Sequence, residues 1–230
     1  MNKVIVTGGA GYIGSHTCLK LIELGYEPLV IDNLSNTSIE NIREVESITN
    51  KKLKFYEIDC CSAKNLDMII KKEEDIIGAI HFAAFKSVEE SLREPEKYFN
   101  NNLKSLKSLI DVMLNNNLNN LIFSSSCTVY GSPDNLPVDE NATFKKAESP
   151  YGETKQLCEK IIKKSTLFSV CLRYFNPIGS HNSGLIGDRS ADKPANLVPI
   201  ICEVAYGKRE KLIINGNDYN TKDGTCVRDY

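Results

Sequence analysis

Between the apolar run Val4-Ile5-Val6 and the periodic stretch Ile13 to Leu24 stands Thr7-Gly8-Gly9-Ala10-Gly11-Tyr12-Ile13-Gly14. A short buried run, a glycine turn and a helix opening at once after it form the first half of a βαβ unit. The glycines read as Gly-x-Gly-x-x-Gly from Gly9, or as Gly-x-x-Gly-x-x-Gly from Gly8. Either spacing gives a tight turn, lets the backbone approach a pyrophosphate, and aims a helix amino terminus at it. Asp32 ends the next apolar run, Pro28 to Ile31, where a carboxylate accepts hydrogen bonds from an adenosine ribose. It would also repel a 2′-phosphate, and no arginine occurs before Arg43, so the expected cofactor is NAD and not NADP.

The alternation continues. Leu53 to Ile58, Ile76 to Phe82, Leu121 to Ser124 and Ser169 to Tyr174 read as further strands. Helical patterns separate them, including Pro95 to Leu114 and Tyr151 to Lys164. This predicts an α/β fold, a Rossmann-type doubly wound parallel sheet, over residues 1–175. Asp59 and Phe82-Ala83-Ala84-Phe85-Lys86 end strands at the same crevice; the small Ala83 and Ala84 would let backbone approach a cofactor. Pro177 to Lys193, with Gly179, Gly184 and Gly187, reads as a long functional loop. Pro194 to Gly207 reads as a helix and Lys211 to Ile214 as a short strand. Residues 176–230 are expected to begin a smaller substrate-binding lobe, incomplete at its carboxyl end.

Composition removes several classes of function. A formal charge of -2 over 230 residues gives no basic surface for nucleic acid or anionic membrane. No apolar run approaches a membrane span, and Met1 to Thr7 is too short for a secretory leader. The eight cysteines include no Cys-x-x-Cys, and His16, His81 and His181 make no ligand cluster with them. Reduced thiols, no metal and a cytoplasmic setting are expected. Leu103, Leu106, Ile110 and Met113 on one helix, and Leu157, Ile161 and Ile162 on another, leave apolar stripes. Part of each must be core, and the rest would pair two copies.

Tyr151 and Lys155 sit four apart in Tyr-Gly-Glu-Thr-Lys, on one helix face. A free phenol titrates near pH 10, so a base at neutral pH needs roughly 4 kcal/mol of help. A fixed ammonium and the positive ring of an oxidised nicotinamide both favour the phenolate. Beside a dinucleotide loop, the pair points to hydride chemistry at an alcohol carbon.

These stretches, together with Ile31-Asp32-Asn33-Leu34, Ile80-His81-Phe82-Ala83, Phe123 to Gly131, Leu172 to Pro177 and Gly216 to Tyr230, resemble the extended short-chain dehydrogenase/reductases. Within that family the likeness is to NAD-dependent nucleotide-sugar epimerases, over the whole length. The resemblance implies Tyr151 as catalytic base, Lys155 as its electrostatic partner, and Ser126 as the hydroxyl bridging phenol and sugar. It implies that Gly8, Gly11, Tyr12, Ile13, Gly14, Asp32, Asn33, Asn36, Asp59, Cys60, Phe82, Ala83 and Ala84 hold NAD. Lys86, Asn101 and Phe175 would line the nicotinamide end. Lys86, Ser126, Tyr151, Asn176, Asn196, Leu197, Ile213, Ile214, Asn215 and Arg228 would hold the substrate. A guanidinium suits a diphosphate better than an ammonium does, which fits Arg228.

The implied activity is interconversion of UDP-glucose and UDP-galactose by transient oxidation at the sugar 4-position, in a homodimer. Ala84, Cys127 and Glu89 depart from residues common in the family, and none removes a catalytic group. Related 4,6-dehydratases usually carry Asp-Glu after the position of Ser126; Cys127-Thr128 supplies no carboxyl acid here. An epimerase of N-acetylated sugars and a decarboxylase stay open, because the residue that would admit an acetamide lies beyond Tyr230. A non-catalytic NAD sensor, or a fragment that binds NAD without turnover, is the reading from another class.

Overall fold

In the computed structural model, which describes residues 1–188, 194 and 196–230, six strands form one parallel sheet. They are β1 Lys3–Thr7, β2 Glu27–Asp32, β3 Lys54–Glu57, β4 Ile76–His81, β5 Asn120–Ser126 and β6 Phe168–Tyr174. Their order, β3-β2-β1-β4-β5-β6, reverses between β1 and β4. That switch point is where open α/β sheets bind ligands, beyond the strand carboxyl ends. Thr7 pairs with both Ile31 and His81, so the glycine loop, Asp32 and the residues after His81 leave the sheet together.

Adjacent β1 residues face opposite cores, as a strand period of two requires. Ile5 packs under α3 (Ala63–Lys72), α6 (Lys104–Asn115) and α7 (Pro150–Lys164) with Leu66, Leu109 and Ile162. Val4 and Val6 pack under α1 (Tyr12–Glu23) and α2 (Glu40–Thr49) with Leu19, Ile42 and Val45. The sheet is buried on both faces there, which is why its strands read as continuous apolar runs. Leu106, Ile110, Met113 and Ile162 are buried in the chain's own core. They are the core part of the two stripes, and Leu103, Leu157 and Ile161 remain partly exposed.

The helical stretch from Pro95 is not one helix. After α4 (Val88–Arg93), α5 (Pro95–Tyr98) passes into a wide π turn, Phe99–Leu103, before α6. Such turns insert a residue into the helical ladder and often sit at functional sites. Beyond β6, Ile186 is buried among Val4, Val6 and Ile80. Tyr12 donates to the Gly179 carbonyl at 2.7 Å, so this stretch lies against the start of α1. Residues 189–193 and 195, within the expected long loop and the start of the expected helix, lie outside the described residues. The helix itself, α8, is Leu197–Ala205. Residues 211–214 form no strand, a correction: among the described residues their apolar run has no partner to complete a ladder.

At the opposite end of the sheet, the Glu73 side chain is only 6 % exposed and accepts from Lys3, Lys54 and Tyr56. Burial alone would raise its carboxyl, but the three hydrogen bonds hold it down to about 2 against an ordinary 4.5. A depressed carboxyl contributes its full stability above 4.5 and loses it as pH falls toward 2. Glu73→Ala should cost about 2–3 kcal/mol at neutral pH, because two lysines and a phenol lose their acceptor. Urea unfolding measures this, and the gap between parent and variant should shrink through that acid window. A gap independent of pH would contradict the account.

Candidate active site

Gly8 leaves β1 with a φ of +69°, and a Cβ there would stand 2.6 Å from the Ala83 nitrogen. The loop from β1 therefore passes in contact with the residues that end β4. A Cβ on Gly14 would stand 2.3 Å from the Gly8 carbonyl oxygen, so α1 seats directly on the turn. Gly11 is the N-cap of α1 and no side chain caps it, leaving its first amides to an outside acceptor. Asp32 is 8 % exposed and accepts from the Ala10 amide at 3.1 Å and the Leu34 amide at 3.0 Å. Burial raises its carboxyl, opposed by these amides and that of Asn33. Thr37 and Asn41 both donate to the Ala10 carbonyl at 2.6 Å, fixing the loop from the other side. A backbone cradle that a Cβ would fill, next to a carboxylate with lone pairs to spare, fits a dinucleotide.

The Ser126, Tyr151 and Lys155 side chains converge where β5 meets α7. Ser149 caps α7 by accepting from the Gly152 amide at 3.1 Å, and Pro150 opens its first turn. A Cβ on Gly152 would lie 3.2 Å from the Thr128 carbonyl oxygen. The helix start is thus pressed on the 3₁₀ turn Cys127–Tyr130 that follows Ser126. Lys155 is 4 % exposed; its Nζ donates to the Ser124 carbonyl at 2.7 Å and lies 4.8 Å over the Phe123 ring and 5.8 Å from that of Tyr151.

Burial pushes Tyr151 up to about 12; a hydrogen bond with Ser126 works against it, and the Cys127 and Cys158 thiols work with it. Burial brings Lys155 down to about 8, with Cys158, Cys171 and Glu159 pulling it back up. A phenol at about 12 is ionised in about one molecule in 10⁵ at neutral pH. The cluster in this state therefore needs one more positive charge beside the phenol to act as a base. Behind Phe123, His81 stacks at 6.0 Å, and its Nδ1 shares a 2.7 Å hydrogen bond with Thr7 Oγ1. Burial first, and the Lys155 charge second, push His81 down to about 3, so it adds no competing cation.

Asn102 joins the two halves of the crevice, and sequence reasoning missed it. Its Nδ2 donates to the Phe85 carbonyl at 3.0 Å and to Thr154 Oγ1 at 3.3 Å, while its Oδ1 accepts from the Phe85 amide at 2.9 Å. The signal was present: Tyr98, Leu106 and Ile110 at steps of four place Asn102 on the buried face. Its neighbour Asn101, expected at the nicotinamide end, is partly exposed and donates to Asn102 Oδ1.

Around the loop, Tyr12, Ile13, Phe82, Ala83 and Ala84 are partly buried, Cys60 is buried, and Asn33, Asn36, Asp59 and Lys86 are exposed. Asp59 accepts from the Cys61 amide, a turn contact. Phe175 packs on Tyr130 with ring centroids 6.3 Å apart. Asn176 Nδ2 reaches the Asp229 carbonyl at 2.5 Å, and the Arg228 charge acts on the Cys127 thiol, bringing this end of the chain to the Ser126 turn. Asn196 stands at the N-cap position of α8 without a side-chain cap bond, and its Nδ2 donates to Asp188 at 2.6 Å. Ile213, Ile214 and Asn215 are exposed, without a hydrogen bond to the Ser126–Tyr151–Lys155 cluster among the described residues. The described residues hold no group of three potential metal ligands, and their cysteines are unpaired thiols. No described helix is long and apolar enough to cross a membrane.

A Rossmann-type sheet with a glycine cradle at its switch point, and a Ser–Tyr–Lys cluster across the crevice, defines the short-chain dehydrogenase/reductase class. Residues 5–230 match the family described as GDP-mannose 4,6 dehydratase. The chain is 47 % identical to a UDP-glucose 4-epimerase of Dictyostelium discoideum over 234 residues, all of this chain and 67 % of that relative. Identity is also 47 % to the UDP-glucose 4-epimerase of Bacillus subtilis, covering 99 % of this chain and 68 % of the relative. A crystal structure of the Bifidobacterium longum UDP-glucose 4-epimerase, in complex with NAD⁺ and UDP, superposes with a TM-score of 0.95 at 40 % identity, covering all of this chain and 70 % of that one. The chain belongs to the UDP-glucose 4-epimerase family.

Proposed function

We propose that this chain carries the NAD site and catalytic cluster of an isomerase that interconverts UDP-glucose and UDP-galactose. The observation that carries this reading is the convergence of Ser126, Tyr151 and buried Lys155 beside the glycine cradle. NAD, when bound, accepts the hydride from the sugar 4-carbon, returns it, and supplies the positive charge that the phenol lacks. Tyr151 takes the proton of the 4-hydroxyl, and Ser126 relays it between phenol and sugar. Lys155, held on the Ser124 carbonyl, stabilises the phenolate. The 4-keto sugar then turns, held by its UDP group, and presents the other face of its 4-carbon to the returning hydride, while the 4-oxygen takes the proton back from Tyr151 through Ser126. Gly8, Gly11, Gly14 and Asp32 hold the cofactor, and Asp32 selects NAD over NADP; equal affinity for the two would remove that role. Asn176 and Arg228, adjoining the Ser126 turn, are assigned to the UDP group.

Residues 1–175 form the cofactor domain in this reading, and 176–230 begin the substrate lobe. The long exposed stretches of the latter support the division. The setting is cytoplasmic, consistent with unpaired thiols among the described cysteines. A homodimer would use the partly exposed Leu103, Leu157 and Ile161; sedimentation as a pure monomer at micromolar concentration would remove it.

Supplied with UDP-galactose and no added NAD, the enzyme containing this chain should form UDP-glucose. A 4-keto-6-deoxy product would favour the dehydratase. Against that reading, Cys127 is a thiol raised by burial and Thr128 is a hydroxyl, so neither offers the acid that elimination needs. Bound NAD without any product would favour the sensor.

A further inference from the structure

Behind the catalytic cluster lies a second, closed polar network. The Glu159 and Arg173 side chains are 10 % and 17 % exposed and pair through two contacts, Nε to Oε1 at 3.0 Å and Nη2 to Oε2 at 2.8 Å. Glu159 Oε1 also accepts from Ser125 Oγ at 2.5 Å. Arg173 Nη1 donates to the Tyr130 hydroxyl at 3.1 Å and the Glu140 carbonyl at 3.0 Å. Its guanidinium lies 5.0 Å over the Tyr130 ring and 4.9 Å over that of Phe144. β5, β6, α7, the 3₁₀ turn and the following loop thus meet on one carboxylate–guanidinium pair.

The placement of that carboxylate is specific. Glu159 follows Lys155 by four residues, one turn along the same face of α7. Ser125 stands between Ser124, whose carbonyl holds the Lys155 ammonium, and Ser126, the hydroxyl partner of Tyr151. We propose that Glu159 is a positioning residue: braced by Arg173 and Ser125, it keeps the buried Lys155 ammonium charged and aligned under Tyr151. The proposal rests on the catalytic reading of Tyr151 and Lys155 given above.

The groups facing Lys155 support the electrostatic half. Tyr151, Cys158 and Glu159 face it from α7, His81 from β4, and Cys171 from β6, with Arg173 beyond Glu159. Of these, Glu159 is the carboxylate; His81 is held neutral. An ammonium that burial brings down toward neutrality depends on a fixed negative charge to remain protonated at the pH of catalysis. Arg173 tempers that charge and fixes where it stands.

The two partners must therefore act with opposite sign. In this chain, the Lys155 midpoint can be followed by carbon NMR of labelled lysine, with the resonance assigned by its loss in Lys155→Arg. Glu159→Gln should lower the midpoint by about half a pH unit, and Arg173→Gln should raise it by a similar amount. Ser125→Ala removes a tether and no charge, and should leave it in place. Each charge variant reads the sign by itself, so one that folds is sufficient. An unmoved midpoint, movement in the wrong direction, or a shift in Ser125→Ala as large as in Glu159→Gln would overturn the proposal. The Tyr151→Phe activity assay separates it from the reading it rests on. An inactive Tyr151→Phe with unmoved midpoints sinks the role of Glu159 alone. An active Tyr151→Phe sinks the catalytic assignment, whatever the lysine does.

Discussion

Tyr151→Phe is expected to lower kcat by about 10³-fold or more while NAD stays bound and the fold is kept. The substitution deletes one oxygen and leaves the ring, whose edge-to-face contact with Tyr98 at 6.4 Å survives. No neighbour can replace that oxygen as a base. Ser126 is a hydroxyl with no carboxylate or imidazole driving it, His81 is buried and turned to Thr7, and the Cys127 thiol is raised by burial. The loss should appear in single-turnover reduction of bound NAD by UDP-hexose, with affinity for nucleotide unchanged. A variant that retained a tenth of the parent rate would end the phenolate assignment. If the activity vanished together with bound NAD and thermal stability, the role of Tyr151 would be structural.

The second large effect is expected from a single methyl group in the cradle. Gly14→Ala places a Cβ 2.3 Å from the Gly8 carbonyl oxygen and 2.7 Å from the Gly9 Cα, both backbone atoms that cannot swing aside. Either α1 lifts from the turn or the turn opens. About 3 kcal/mol of stability should be lost, roughly 6–12 °C in Tm for a chain of this size. Cofactor affinity should fall with it, since the amides at the start of α1 move. Gly25→Ala is the control. Gly25 has a positive φ, +83°, which helical Gly14 does not, and nothing lies within 4 Å of its added Cβ. It should cost only about 1 kcal/mol of backbone strain and leave the cofactor bound. Equal losses in the two variants would show that the close seating of α1 on the turn adds nothing to the cost of a methyl group at Gly14.

Much of this site could be read before any coordinates. The strand–glycine–helix unit, Asp32 at the end of β2, and Tyr151 four residues before Lys155 are local patterns, and locality is what periodicity and spacing report. All six strands appear where apolar runs predicted them; the central ones read most plainly, because burial on both faces demands apolar residues, while β3 and β6 at the edges are partly exposed. The failures lie where pattern and partner separate. Lys211 to Ile214 looks like a strand, yet among the described residues no neighbouring strand completes its ladder. Which part of the helical stripes is core was not legible either; Leu106, Ile110 and Met113 join the chain's own core.

The amino-acid sequence by itself determined the order of strands and helices, the glycine cradle and the placing of Tyr151 and Lys155 on one helix face, since each depends on residues close along the chain. Tertiary structure alone decided what surrounds them. It placed Asn102 and not Asn101 between Phe85 and Thr154, hung Lys155 on the Ser124 carbonyl over Phe123, and closed Glu159 onto Arg173 and Ser125. Those contacts join residues that only the parallel crossover connections bring together. Protonation depends on burial and on charges arriving from other strands, so the chemistry of Tyr151 and Lys155 is a property of the packed sheet.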